Sequence, residues 1–160
     1  MRVSVIAVGR GRDGPDQAWM REYTERFDGL ARNLGISALQ IVEVEEKRPL
    51  KGAERKRREA ELIEKSIPEG AHIVILDESG KQLSSRDFAG RIQQLRDDGI
   101  RDLVFVIGGA DGLDQSIRQR AGLTLAFGKQ TWPHMMVRLM LAEQLYRSLT
   151  ILAGHPYHKA

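Results

Sequence analysis

The chain contains no cysteine. Disulfide bridges, cysteine-ligated zinc, iron–sulfur clusters and thiolate nucleophiles are excluded together by that one absence. It also lacks a long apolar run. The N-terminal stretch Met1-Arg2-Val3-Ser4-Val5-Ile6-Ala7-Val8-Gly9 alternates and is too short for a signal-peptide core or a membrane span. Such a sequence suits a reducing cytoplasm, and a cytoplasmic protein with no membrane partner is expected. No repeat, low-complexity tract or linker interrupts the 160 residues, so a single domain over 1–160 is expected. A G-x-G-x-x-G fingerprint and a Walker lysine are both missing, which disfavours a dinucleotide or nucleotide-phosphate site.

What is present is an ordinary globular composition, 41% hydrophobic with 16 glycines and a net charge of +3. The charge is only mildly basic, but it is unevenly spread. Residues 47–58 carry seven cations (Lys47, Arg48, Lys51, Arg55, Lys56, Arg57, Arg58) against the single acid Glu54. Such a run is commonly a solvated helical face, and it becomes a phosphate-contact surface only if the rest of the chain points to RNA.

Apolar runs alternate with helical patterns from end to end. Strands are expected at residues 2–9, 37–44, 72–76, 103–107 and 123–127, the first of them apolar on both parities and so buried on both faces. Helices are expected from Pro15 to Leu34, over 51–66, after Ser84 or Ser85, over 114–120 and from Pro133 to about Leu149. In the first, Trp19, Tyr23, Phe27, Leu30, Ala31 and Leu34 recur at helical spacing as a buried stripe. The alternation predicts a three-layer α/β domain with a mostly parallel sheet. Ligands in such sheets bind at the carboxyl ends of strands, which singles out the loops after Leu76, Ile107 and Phe127.

Each of these loops carries groups that suit a ligand. Gly108-Gly109-Ala110-Asp111-Gly112 would let backbone pass close to a bound molecule, or it is a turn that needs glycine for geometry alone. Asp77 and Glu78 could meet a ribose hydroxyl or a cation, or simply be solvated. Residues 127–134 are rich in main-chain donors and acceptors around Trp132, which could cover an adenine or belong to the core. The last long helix is too apolar for one buried stripe, which predicts burial against the sheet on one side and a second subunit on the other, or else a wholly internal helix. The tail Gly154-His155-Pro156-Tyr157-His158-Lys159 holds types that stack on bases and contact phosphate. Its two histidines have no third ligand at matching spacing, so no metal is expected.

Ile107-Gly108-Gly109-Ala110-Asp111-Gly112-Leu113, Pro133-His134, Val137-Arg138, residues 142–147 (Ala-Glu-Gln-Leu-Tyr-Arg) and His155-Pro156-Tyr157-His158-Lys159, in this order, resemble the large-subunit ribosomal RNA methyltransferase H family. The resemblance spans the whole chain. It implies a SPOUT-class α/β fold whose C-terminal segment forms a trefoil knot, an obligate homodimer, and S-adenosylmethionine as cofactor. It implies methylation of N3 of a pseudouridine in the helix-69 loop of 23S ribosomal RNA, within the assembled ribosome. The implied cofactor pocket is Leu76, Gly108, Phe127, Gly128, Lys129, Gln130, Thr131 and Trp132, and the tail would reach the pocket of the dimer or the RNA.

A sulfonium methyl is already electrophilic, so the enzyme must align it with N3 and help remove a weakly acidic imide proton. Candidates for base or orienter are His134, Tyr157 and His158, with His158 foremost among the tail residues, and Arg138 and Arg147 holding phosphate or stabilising the developing anion. Two other readings remain: a noncatalytic ribosome- or RNA-binding factor, and a SPOUT methyltransferase for a different RNA.

Overall fold

Strand β1 (Arg2–Val8) shows why the sheet takes helices on both faces. Side chains alternate across a strand, so Val3, Val5 and Ala7 enter one core while Ile6 and Val8 enter another. The computed structural model describes residues 1–159. It adds β2 (Gln40–Val44), β3 (His72–Lys81), β4 (Asp102–Ile107) and β5 (Leu123–Leu125) in the order β2-β1-β4-β3-β5, every pair parallel.

Helices α1 (Pro15–Ala31), α3 (Ser85–Asp97) and α5 (His134–Ala153) cover the first face through Phe27, Phe88, Ile92, Leu141, Leu145 and Leu149. Helices α2 (Gly52–Ser66) and α4 (Gln115–Arg120) cover the second through Ala60, Ile63 and Ile117. The expected three-layer α/β architecture with a parallel sheet is therefore observed. Side chains fix where helices start: Ser84 accepts from the Asp87 N–H at 3.0 Å, and Asp114 from the Ser116 N–H at 3.1 Å.

Several boundaries differ from the sequence expectation. β2 begins three residues later than expected and β5 stops two earlier. α1 tightens into a 3-10 turn at Arg32–Leu34 before Gly35 ends it at φ 70°. α5 runs on to Ala153, where Gly154 at φ 68° caps it. β3 does not end at Leu76. Leu76 and Lys81 both register with Leu125, so residues 77–80 bulge out and the strand then rejoins β5. The Ala126 N–H donates to the Lys81 carbonyl at 2.9 Å. Gly80 passes so close to β5 that a Cβ there would lie 2.7 Å from the Thr124 carbonyl. Trp19 departs from its expected burial: it is 60% exposed on the outer surface of α1.

Candidate functional site

All five strands being parallel, their carboxyl ends share one edge, and three chain segments meet there. They are Leu76 to Glu78 at the bulge of β3, Ile107 to Leu113 at the end of β4, and Leu125 to Trp132 at the end of β5, with His134 and Val137 from the start of α5. Between them lies a cleft of about 220 Å³. Leu76, Ile107, Leu113, Leu125 and Val137 make it apolar, while the glycines and the β5 loop contribute main-chain groups.

Short hydrogen bonds hold the rim. Thr131 Oγ1 donates to Glu78 Oε2 at 2.5 Å, tying the β5 loop to the β3 bulge. Trp132 Nε1 donates to the Phe127 carbonyl at 3.0 Å, which closes the loop on itself. Arg118 of α4 donates to Asp77 Oδ1 at 2.9 Å and to the Leu113 carbonyl at 3.1 Å. Burial pushes the Asp77 carboxyl up, but the bonds from Arg118 and Ser79 outweigh it and hold Asp77 below the usual carboxylate range.

The glycine loop is a turn that lies at the cleft. The Gly112 N–H donates to the Gly109 carbonyl at 3.0 Å with Gly112 at φ 82°, a turn open to few side chains. Gly108, Gly109 and Gly112 also line the cleft. Behind the loop sits Glu59 of α2, only 3% exposed. A Cβ on Gly109 would lie 3.0 Å from Glu59 Oε2, so only backbone separates this carboxyl from the cleft. Arg55 Nε approaches Oε2 at 3.4 Å, while Oε1 has no partner among the described residues. Burial drives the Glu59 carboxyl above its usual range, and Arg55 only partly offsets it. Sequence reading passed Glu59 over, although a signal exists: it shares the buried helical stripe with Ala60 and Ile63.

Of the residues expected at the pocket, Leu76, Gly108, Phe127, Gly128, Gln130, Thr131, Trp132 and His134 converge on the cleft. Lys129 stands exposed outside its lining. Arg138, on α5, points away from the cleft and is buried. It donates to the carbonyls of Val8 at 3.1 Å and Gly9 at 2.8 Å and to Glu43 Oε2 at 2.6 Å. Glu43 in turn accepts the Gly11 N–H at 2.5 Å.

The tail folds back as a 3-10 turn, Pro156–His158, against α5. The Tyr157 ring sits 4.7 Å from that of Tyr146, and its hydroxyl donates to Glu143 Oε1 at 3.1 Å. The Arg147 guanidinium lies 5.1 Å above the Tyr157 ring. Burial, with Tyr23 and Glu143 close by, raises the Tyr157 phenol well above its usual value. His158 is half-buried with Nδ1 unpartnered among the described residues. Neither Tyr157 nor His158 lines the cleft of its own chain.

A second cavity, about 540 Å³, backs onto the first through residues 125–128. Trp19, Tyr23, Phe88, Met136, Leu139 and Met140 line it, and Trp19 and Met136 are the large apolar side chains most exposed among the described residues. No helix of the described residues is long and apolar enough to cross a membrane.

A parallel sheet with a glycine-lined cleft at the carboxyl ends of adjacent strands is the arrangement in which α/β domains bind small ligands. Comparison with known proteins narrows the class. A family model described as "Predicted SPOUT methyltransferase" matches residues 1–158. Proteins named ribosomal RNA large subunit methyltransferase H are similar throughout. That of Ruegeria pomeroyi is 53% identical over 160 residues, covering 99% of both chains. Those of Bradyrhizobium sp. (strain ORS 278) and Paramagnetospirillum magneticum are each 49% identical, covering 100% and 99% of this chain and 99% of their own. The chain belongs to the SPOUT methyltransferase family.

Proposed function

We propose that this protein methylates large-subunit ribosomal RNA with S-adenosylmethionine as methyl donor, at N3 of a pseudouridine in the helix-69 loop of 23S RNA within the assembled ribosome. The observation that carries the reading is the cleft: seven of the eight residues expected to hold the cofactor line one cavity, although three separate chain segments supply them. Its donor set fits. Glycine backbone and the 127–132 loop offer main-chain bonds to an adenosine, apolar strand ends suit the methylenes of the methionine arm, and Asp77 and Glu78 at the rim suit a cation. When bound, S-adenosylmethionine supplies an electrophilic methyl group on a sulfonium centre.

The protein's own part is alignment and proton handling. His134 lines the cleft, which supports it as the base that takes the imide proton. The Tyr157 phenol, raised and bonded to Glu143, serves as a hydrogen-bond donor rather than a base. Tyr157, His158 and Arg147 sit away from their own cleft, which favours a dimer in which the tail serves the partner's cleft. The apolar groove bearing Trp19 and Met136 is the surface that such a dimer would cover. Trp19→Glu should then give a monomer by sedimentation equilibrium. The knotted C-terminal threading belongs to the same proposal and is supported by membership of the SPOUT methyltransferase family. Pulled by its termini, a knotted chain stops short of the full contour of about 3.3–3.6 Å per residue.

The deciding experiment transfers labelled methyl onto ribosomes, with and without prior pseudouridylation, and maps the modified base. Label at one pseudouridine of the helix-69 loop supports the reading, and label elsewhere points to another RNA target. No heat on titration with S-adenosylmethionine would leave a noncatalytic ribosome-binding factor. His158→Ala should slow single-turnover methylation, and an unchanged rate removes His158 from the mechanism. A ribosomal substrate would place the protein in the cytoplasm.

A further inference from the structure

A buried carboxyl with an unpartnered oxygen is costly, and Glu59 is held so close to the cleft that a ligand there would sense its charge. α2 presents it on the same stripe as Ala60 and Ile63, and its carboxyl and the Val8 side chain both crowd the place a Gly109 Cβ would take. The absence of a Cβ at Gly109 is what permits the contact. Three other charged or titratable groups face it: Arg55 from its own helix, Asp111 from the glycine loop and His134 from the start of α5. Of these Arg55 approaches within 3.4 Å, and at Oε2 alone. The negative charge that forms on this carboxyl is therefore only partly compensated by the protein.

We propose that Glu59 is the buried counter-charge of the cleft, a specificity-determining residue that favours a cationic sulfonium ligand over the neutral thioether left once its methyl group has gone. The inference rests on the methyl-donor reading above. In the transfer the S–CH3 bond breaks, its electrons stay on sulfur, and the substrate nitrogen binds the methyl as its proton leaves. The spent product is thus one positive charge poorer than the donor, while adenosine and amino-acid parts are the same in both. Contacts with those shared parts do not distinguish the two, whereas a fixed carboxylate across one layer of backbone does. At an effective dielectric near 20 such a charge is worth roughly ten-fold in affinity. The preference tightens loading and speeds release of product.

Calorimetric titration of the full chain with S-adenosylmethionine and with S-adenosylhomocysteine tests this without any turnover. In the wild type the ratio of the two dissociation constants should favour the donor and grow as pH rises through the raised pKa of Glu59. Glu59→Gln should weaken donor binding roughly ten-fold, leave product binding nearly unchanged and flatten the pH dependence of the ratio. Glu59→Asp, which keeps the charge, should retain most of the preference. An unchanged donor-to-product ratio in Glu59→Gln overturns the proposal, as does a pH-independent ratio in the wild type, which needs no variant to fold. A wild-type protein that binds neither molecule refutes instead the methyl-donor reading itself.

Discussion

Replacing Arg138 with alanine should damage the scaffold before it touches the chemistry. The side chain is 2% exposed and its guanidinium serves three acceptors: the carbonyls of Val8 and Gly9 and the Glu43 carboxylate. Truncation leaves two carbonyls at the end of β1 without a charged donor, where a charge-assisted hydrogen bond is worth about 1.5–3 kcal/mol. It also orphans Glu43, which steadies the β1 loop through the Gly11 N–H. Breaking a fully buried ion pair costs about 3–5 kcal/mol. Glu43 is 36% exposed and water rehydrates it, so the expected total is about 3–4 kcal/mol rather than the plain sum. Against a typical domain stability of about 5–15 kcal/mol this is severe, and at about 2–4 °C per kcal/mol the melting temperature should fall by about 10 °C. Urea unfolding at fixed protein concentration measures it, with Arg138→Lys intermediate because one ammonium cannot fork to three acceptors. A loss below about 1 kcal/mol, together with abolished methyl transfer, would refute the scaffold role and return Arg138 to the substrate.

Glu59→Gln should also alter the pH dependence of stability. Because burial holds the folded-state pKa of Glu59 above the unfolded value, its stabilising contribution is full below the unfolded value and is lost as pH rises through the folded one. Urea melts should show the glutamine variant gaining on the wild type as pH rises above the ordinary carboxylate value of 4.5, and parallel curves would contradict this. Gly80→Ala forces a Cβ to within 2.7 Å of Thr124 backbone, so β3 and β5 must separate. A loss of about 1–3 kcal/mol or more is expected, with weakened donor binding by calorimetry. Trp132→Phe removes the bond to the Phe127 carbonyl but keeps an aromatic ring. Stability should change by about 1 kcal/mol or less while donor affinity falls, because the 127–132 loop loses its internal tie.

The layered architecture is readable from sequence because strands such as β1 and β4 are apolar on both parities, and helices such as α3 show a clean stripe ending in a cap. The boundaries that shift are those set by distant partners. β3 continues to Lys81 only because β5 is there to receive it, and nothing local in Asp77-Glu78-Ser79-Gly80 announces that pairing. Trp19 has the spacing of a buried residue, yet spacing fixes which face it occupies, not whether another surface covers that face. The cleft residues were accessible through the rule that parallel sheets bind ligands at their carboxyl ends, and through the resemblance. The surroundings of Arg138 and Glu59 were not. A sequence displays a charge but not the carbonyls around it, nor the backbone that hides it.

The register of β1 has a consequence for how the chain is born. Arg2 lies opposite Asp102, and the central strand pair closes a loop of about a hundred residues. At a synthesis rate of about 5–20 residues per second, the first strand leaves the ribosome some 5–20 seconds before its inner partner exists. β2 can pair with it meanwhile, but its other edge, Val3-Ser4-Val5-Ile6-Ala7-Val8, waits unpaired and apolar. The nascent chain is therefore most exposed to mispairing during that interval, and a trigger-factor-like holdase would have its greatest effect there. The edge that bears the cleft, hung from β3, β4 and β5, cannot be completed until the start of α5 has followed all three.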